Sequence, residues 1–133
     1  QRPKPQIDFG RILRESGASS LNDVSDGLSR EINEIASASR VTIELEKERI
    51  PLSDELCRWG QDCGKEPFHF AINGGEDYEL VGTISKKNWE YVKGIGGVTG
   101  IGHVKKAGKG QVFLKDKNSI KLLTIAGYDH FRS

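Results

Sequence analysis

The chain of 133 residues contains no methionine, not even at position 1, so as it stands it is expected to be a processed form or an excised piece of a longer protein. Cysteine is nearly as scarce. Cys57 and Cys63 have five residues between them, which fits neither a CxxC redox pair nor the short ligand spacing of a zinc ribbon, and His69, His103 and His130 are scattered. Two reduced thiols near a short helix, and hence a reducing compartment, are expected; a local disulfide stays open. No apolar run approaches the roughly 20 residues needed to span a bilayer. The opening Gln1-Arg2-Pro3-Lys4-Pro5 lacks the apolar stretch of a signal peptide. Secretion and membrane insertion are therefore disfavoured and a cytoplasmic location is expected. Internal repeats and low-complexity tracts are missing too.

Two phosphate-binding motifs are also missing. The glycine-rich stretch over residues 94–102 contains no GxGxxG, and no segment has the GxxxxGK[ST] pattern of a phosphate loop. It reads as a connection between a helix and a strand. No Ser/His/Asp arrangement emerges either, so a nucleophilic hydrolase is unsupported.

What remains is the composition of one soluble domain. At 14.7 kDa, with 35% hydrophobic and 29% charged residues, the chain can bury a core without metal or disulfide staples. The net charge of +1 conceals a division: residues 1–84 carry ten basic and sixteen acidic side chains, residues 85–133 ten basic and three acidic. A basic segment interleaved with aromatics can serve as a polyanion or nucleic-acid surface. Lys105, Lys106, Lys109, Lys115, Lys117 and Lys121, however, fall in apparent hairpins and edge strands, where lysine blocks edge pairing. Solvated strand faces are the preferred reading, and nucleic acid is disfavoured as a partner.

Periodicity places the elements. Residues 7–16 suit a short helix, with Phe9, Ile12 and Leu13 on one side. Leu28, Ile32, Ile35 and Ala36 form the stripe of an amphipathic helix. Val41, Ile43 and Leu45 alternate with polar residues as in a half-buried strand, and Ser53 suits the N-cap of a helix through Leu56, Cys57 and Trp59. Residues 68–72 and 78–84 read as strand or near-strand, and 85–93 as a second amphipathic helix. Residues 99–105, 111–115 and 119–125 read as strands joined by tight turns at 108–110 and 116–118. The expected class is α+β, a mixed β-sheet covered by helices.

Chemistry concentrates in two stretches. Asp23-Val24-Ser25-Asp26-Gly27-Leu28 stands at the entrance to the amphipathic helix, offering two carboxylates and a hydroxyl. Oxygen donors of that kind suit Mg²⁺, which takes one or two protein carboxylates and bridges to substrate phosphates. Alternatively, Ser25 or Asp26 simply caps the helix. In Asn73-Gly74-Gly75-Glu76-Asp77-Tyr78-Glu79-Leu80, three acids within four positions repel one another unless a cation or hydrogen-bond donors gather them. The alternative is a polar turn before a strand that buries Tyr78 and Leu80.

Taken together, the two stretches resemble the thiamine-monophosphate kinase family. The likeness extends to Arg2-Pro3-Lys4-Pro5, to Ile50-Pro51-Leu52 and to the closing Gly127-Tyr128-Asp129-His130-Phe131, and so covers nearly the whole chain but only the C-terminal half of such an enzyme. The resemblance implies a fold like the C-terminal domain of aminoimidazole ribonucleotide synthetase, with residues 1–20 a linker and lead-in from a missing N-terminal domain and 21–133 the C-terminal α/β domain. It implies transfer of the γ-phosphoryl of ATP to thiamine phosphate, with several Mg²⁺ ions, and a homodimer formed through the missing domain. Carried over by position, Asp23 and Asp26 ligate Mg²⁺, with Asp26 the catalytic residue, and Ser25 contacts ATP. Glu76 contacts thiamine phosphate, and Tyr128 or Phe131 offers an aromatic surface to the substrate's rings; the role of Asp77 is open. The fragment alone is expected to be inactive or nearly so. Two other readings stand beside this one: a non-catalytic anion-binding module of the same fold, and a sister ATP-dependent enzyme of the superfamily.

Overall fold

The stripe of Leu28, Ile32, Ile35 and Ala36 forms one face of helix α1 (Leu28–Ser39), which Arg40 ends in the left-handed conformation at φ 55°. All four side chains are buried. They meet Ile43 and Leu45 of strand β2 (Thr42–Glu46), whose burial alternates as the sequence pattern predicts. The computed structural model describes residues 18–24, 27–75, 78, 80–94, 97–105, 108–125, 127 and 128. The helix expected over 7–16 and the opening Gln1 to Pro5 lie outside them.

Beyond β2 come a 3-10 turn (Lys47–Arg49), helices α2 (Asp54–Cys63) and α3 (Pro67–Phe70), and a wider π-type turn (Ala71–Gly75). Strand β3 (Leu80–Ile84), helix α4 (Lys86–Val92) and strands β4 (Gly102–Lys105), β5 (Val112–Asp116), β6 (Ser119–Thr124) and β7 (Gly127–Tyr128) complete the order. Ser53 caps α2 as expected, its hydroxyl accepting from the Leu56 amide at 3.1 Å, and Ser85 caps α4 in the same way through Asn88. Both cysteines lie on α2 as free thiols.

Five strands form a mixed sheet in the order β4-β2-β5-β6-β7, in which β2 and β5 run parallel and the other neighbours antiparallel. Val112, Leu114 and Leu123 join Ile43 and Leu45 on the face covered by α1. The α+β class with a mixed sheet holds. Among the described residues no helix is long and apolar enough to cross a membrane.

Three local expectations change. The turn at 116–118 closes a true hairpin, with Asp116 opposite Ser119 and Lys117 at φ 57°. The turn at 108–110 does not, because β4 and β5 lie on opposite sides of β2. A tight hairpin there would leave β2, with the deeply buried Ile43 and Leu45, at the edge of the sheet. The connection of six residues from Lys105 to Val112 is long enough to step across it, a span of about 10 Å.

Residues 68–72 are helix and turn, not strand. Phe68, Ala71 and Ile72, at i, i+3 and i+4, are all buried, whereas a strand would bury Phe70, which is 38% exposed. The third change is an addition: Ala18–Asp23, to which periodicity assigns no element, is strand β1, paired antiparallel with β3 in a separate two-stranded sheet.

A charged knot ties the far end of β2 to its surroundings. The Lys47 ammonium lies 2.6 Å from Glu66 and 3.4 Å from Asp116, with its charge 5.2 Å from the centre of the Phe68 ring. Burial, the largest single influence, pulls Lys47 down; the hydrogen bonds and charges of Glu66 and Asp116 together outweigh it and hold the group above its ordinary 10.5. A raised lysine contributes stability that is fully present below its unfolded value and lost as pH climbs through the folded one. Denaturation midpoints are therefore expected to hold up to about pH 10.5 and then fall. A Lys47→Met variant should show a shallower alkaline loss than the parent, and identical alkaline slopes would rule this role out.

Candidate active site

Strand pairing brings the two acidic stretches to one place. Asn22 stands opposite Val81 and Asp23 opposite Leu80, so the chain leaving β1 and the chain entering β3 emerge at the same end of the ribbon, about 5 Å apart. Asp23 and Leu80, at the ends of the two stretches, are thus neighbours although more than fifty positions separate them. A second contact holds the other side. Gly27, buried at φ 101° and ψ 147°, lies so close to the 72–74 backbone that an added Cβ would sit 3.2 Å from the Asn73 carbonyl carbon and 3.3 Å from the Gly74 nitrogen.

Of the residues singled out by sequence, Asp23 is exposed at the end of β1, and Tyr128 belongs to β7, its backbone opposite Leu123. Ser25, Asp26, Glu76, Asp77 and Phe131 lie outside the described residues. The N-cap of α1 is Gly27, which has no side chain, so the alternative in which Ser25 or Asp26 occupies that position is set aside. Tyr78 packs against the core, and its hydroxyl donates to the Pro51 carbonyl, binding the second acidic stretch to the Ile50-Pro51-Leu52 segment.

Around this junction runs a set of polar contacts that periodicity alone does not reveal. The Asn22 amide donates to Glu31 Oε1 at 3.1 Å, clamping the end of β1 to the first turn of α1, where Glu31 is only 8% exposed. Ser29, 1% exposed, donates to Asn73 Oδ1 at 3.1 Å, and the Asn73 amide donates to the His69 carbonyl at 3.0 Å. Asn33 donates to the carbonyls of Ser29 and Leu123 at 2.8 and 3.1 Å. The signal available in the sequence was the i, i+4 pair Ser29 and Asn33 running beside the apolar stripe of α1.

By donor type, the carboxylates and hydroxyl of 23–26 with Glu76 fit a hard cation such as Mg²⁺, which prefers oxygen and retains water. Among the described residues, which include only Asp23 of that set, no three His, Cys, Asp or Glu side chains gather for a metal. Among the described residues, an open cleft lined by Lys47, Ile50, Leu52, Phe68 and Asp116 contains none from the acidic stretches. On the sheet, Lys105 of edge strand β4 lies 3.9 Å from Glu44 of its neighbour, in keeping with a solvated strand face.

The family described as AIR synthase related protein, C-terminal domain, matches residues 1–115. The thiamine-monophosphate kinase of Bacillus subtilis (strain 168) is 39% identical over 137 residues, covering 99% of this chain and 41% of its own length. The crystal structure of thiamine monophosphate kinase from Aquifex aeolicus superposes with a TM-score of 0.67 at 36% identity, over 86% of this chain and 37% of that one. The structure of AaThiL complexed with AMPPCP and TMP superposes with a TM-score of 0.68 at 34% identity, over 98% of this chain and 39% of that one. The chain thus spans about two fifths of the length of these relatives.

Proposed function

The chain belongs to the family of AIR synthase related protein, C-terminal domain, and from that premise we propose that it is the C-terminal domain of an ATP-dependent thiamine-phosphate kinase. The reaction is ATP plus thiamine phosphate to ADP plus thiamine diphosphate. A terminal phosphate oxygen of thiamine phosphate attacks the γ-phosphorus of ATP in line, the bond to the bridging oxygen breaks, and ADP leaves without a covalent enzyme intermediate. The observation that carries this reading is the double junction of the acidic stretches, through Asp23 opposite Leu80 and Gly27 against Asn73 and Gly74. The 39% identity to the Bacillus subtilis kinase supports it, as does the likeness to AaThiL bound to AMPPCP, an ATP analogue, and TMP.

In this reading Asp23 and Asp26 hold Mg²⁺, Ser25 contacts ATP, Glu76 contacts thiamine phosphate, and Tyr128 or Phe131 faces the substrate's rings. When bound, magnesium supplies positive charge against the crowded phosphate oxygens. The thiazolium carries a fixed positive charge, for which a carboxylate and an aromatic face are suitable partners. An upstream N-terminal domain completes the nucleotide site and forms the homodimer, and the C-terminal domain closes over the substrates. A cytoplasmic location belongs to the same reading, with Cys57 and Cys63 as free thiols.

The test is to express the full-length parent chain with ATP, Mg²⁺ and thiamine phosphate and to follow thiamine diphosphate by chromatography. Magnesium-dependent conversion is expected, with the isolated 133-residue chain giving little or none. A folded full-length chain that leaves thiamine phosphate unchanged would overturn the proposal.

A further inference from the structure

The proposed site draws on three separate parts of the chain: residues 23–26 before α1, Glu76 after the Ala71–Gly75 turn, and the C-terminal aromatics Tyr128 and Phe131. Two polar side chains on adjacent turns of α1 contact the backbone or side chains leading to the second and third of these, and α1 itself follows directly on the first. Ser29 Oγ lies 3.1 Å from Asn73 Oδ1 and 3.4 Å from the Ile125 carbonyl oxygen. A hydroxyl has one hydrogen, so these two acceptors share it. Asn73 is oriented to receive it, because its own amide is committed to the His69 carbonyl at 3.0 Å. Asn33 then takes the Leu123 carbonyl at 3.1 Å, and Leu123 is the residue opposite Tyr128 in the β6–β7 pair.

Ile125 lies one residue past the end of β6, and its side chain is half exposed, so the sheet ladder and the core do little to hold it. Ser29 by contrast is almost fully buried, on a helix face otherwise committed to Leu28, Ile32 and Ile35. A polar group placed there is retained only if its hydrogen bonds are made.

We infer that Ser29 is a positioning residue: its buried hydroxyl sets the spacing between the turn that leads into Glu76 and the C-terminal strand that leads to Tyr128 and Phe131, and so sets affinity for the phosphate-acceptor substrate. The substrate half of this inference rests on the kinase reading; the spacing half does not. Glu76 and the aromatics are the groups assigned to thiamine phosphate, whereas ATP is assigned to Ser25 and the Asp23 and Asp26 cation site. Loss of the Ser29 hydroxyl therefore acts unequally on the two substrates.

The experiment uses the full-length chain as parent, Ser29→Ala and the milder Ser29→Cys, with two readouts. In steady-state kinetics, Ser29→Ala is expected to raise KM for thiamine phosphate about tenfold, the size of one well-placed hydrogen bond, while KM for ATP moves less than about twofold. In amide hydrogen exchange, residues 73–79 and 123–131 of the variant exchange about tenfold faster together, while β2 and β5 keep their parental protection. The effects of Ser29→Ala and Asn73→Ala combined should fall short of their sum, because the two share one hydrogen bond, while Asn73→Ala retains the separate cost of losing the His69 carbonyl. A variant that loses stability throughout yet keeps its KM for thiamine phosphate, or raises both KM values alike, would overturn the substrate role. Unchanged exchange in both segments would overturn the spacing role. If the parent itself does not convert thiamine phosphate, the kinase reading fails and the exchange measurement alone decides the spacing claim. Should Ser29→Ala not fold, Ser29→Cys is read by the same criteria.

Discussion

A Gly27→Ala variant is expected to lose about 3 kcal/mol of stability and, in the proposed full-length kinase, about tenfold in turnover. Two effects combine. At φ 101° and ψ 147°, Gly27 occupies a backbone region closed to residues with a Cβ, and forcing alanine there costs about 1–3 kcal/mol. The new methyl group would also sit 3.2 Å from the Asn73 carbonyl carbon and 3.3 Å from the Ile72 carbonyl oxygen, so the 72–74 segment has to move. The contact asks that segment to give by a few tenths of an ångström, and since about 1 Å at reacting groups costs about a hundredfold, the smaller shift is expected to cost about tenfold. Gly64→Ala is the control. Gly64 is also at positive φ, 68°, but a Cβ there meets nothing within 4 Å, so only the backbone term of about 1 kcal/mol applies. Denaturation and turnover of the two variants separate strain from contact. Parental stability and rate in Gly27→Ala would mean that the junction tolerates a side chain and does not set the site.

An Asp26→Asn variant is expected to keep its fold and lose about a hundredfold or more in kcat, equivalent to about 3 kcal/mol of transition-state stabilisation. The carboxamide has the size of the carboxylate but not its charge, and the proposed role of Asp26 is to hold Mg²⁺ against the phosphates. The sign of the stability change distinguishes this from a structural role. If Asp26 belongs to the proposed metal set, removing one of its carboxylates without magnesium relieves repulsion, so the variant should melt at or slightly above the parent's temperature. With magnesium, the parent gains stability through binding, by about 2.7 kcal/mol at a hundredfold excess over Kd, and the variant gains far less. Turnover equal to the parent's would remove Asp26 from the metal site.

Much of the local structure was legible because it depends on residues only a few positions apart. The spacing of Leu28, Ile32, Ile35 and Ala36 dictates α1, the alternation of Ile43 and Leu45 dictates β2, and Ser53 marks the start of α2. Segment 68–72 shows the limit of such patterns. Phe68, Phe70 and Ile72 satisfy a period of two, Phe68, Ala71 and Ile72 a helical period, and burial within the fold selects the second. β1 is not legible in the sequence because Ala18–Asp23 has a single aliphatic side chain larger than alanine and so no alternating pattern, and it exists as a strand through its pairing with β3.

The candidate site divides along the same line. The residue types at 23–26 and 76–79 carry the proposed chemistry, oxygen donors suited to a hard cation and phosphates, because charge and donor character belong to each side chain wherever it lies. Only the tertiary structure decided that Asp23 stands opposite Leu80 and Gly27 against Asn73, and that Ser29 and Asn33 reach the C-terminal strand. Those are outcomes of strand register and helix packing between residues roughly 50 to 100 positions apart. They follow from burying all the apolar faces at once, a condition that no local window of sequence contains.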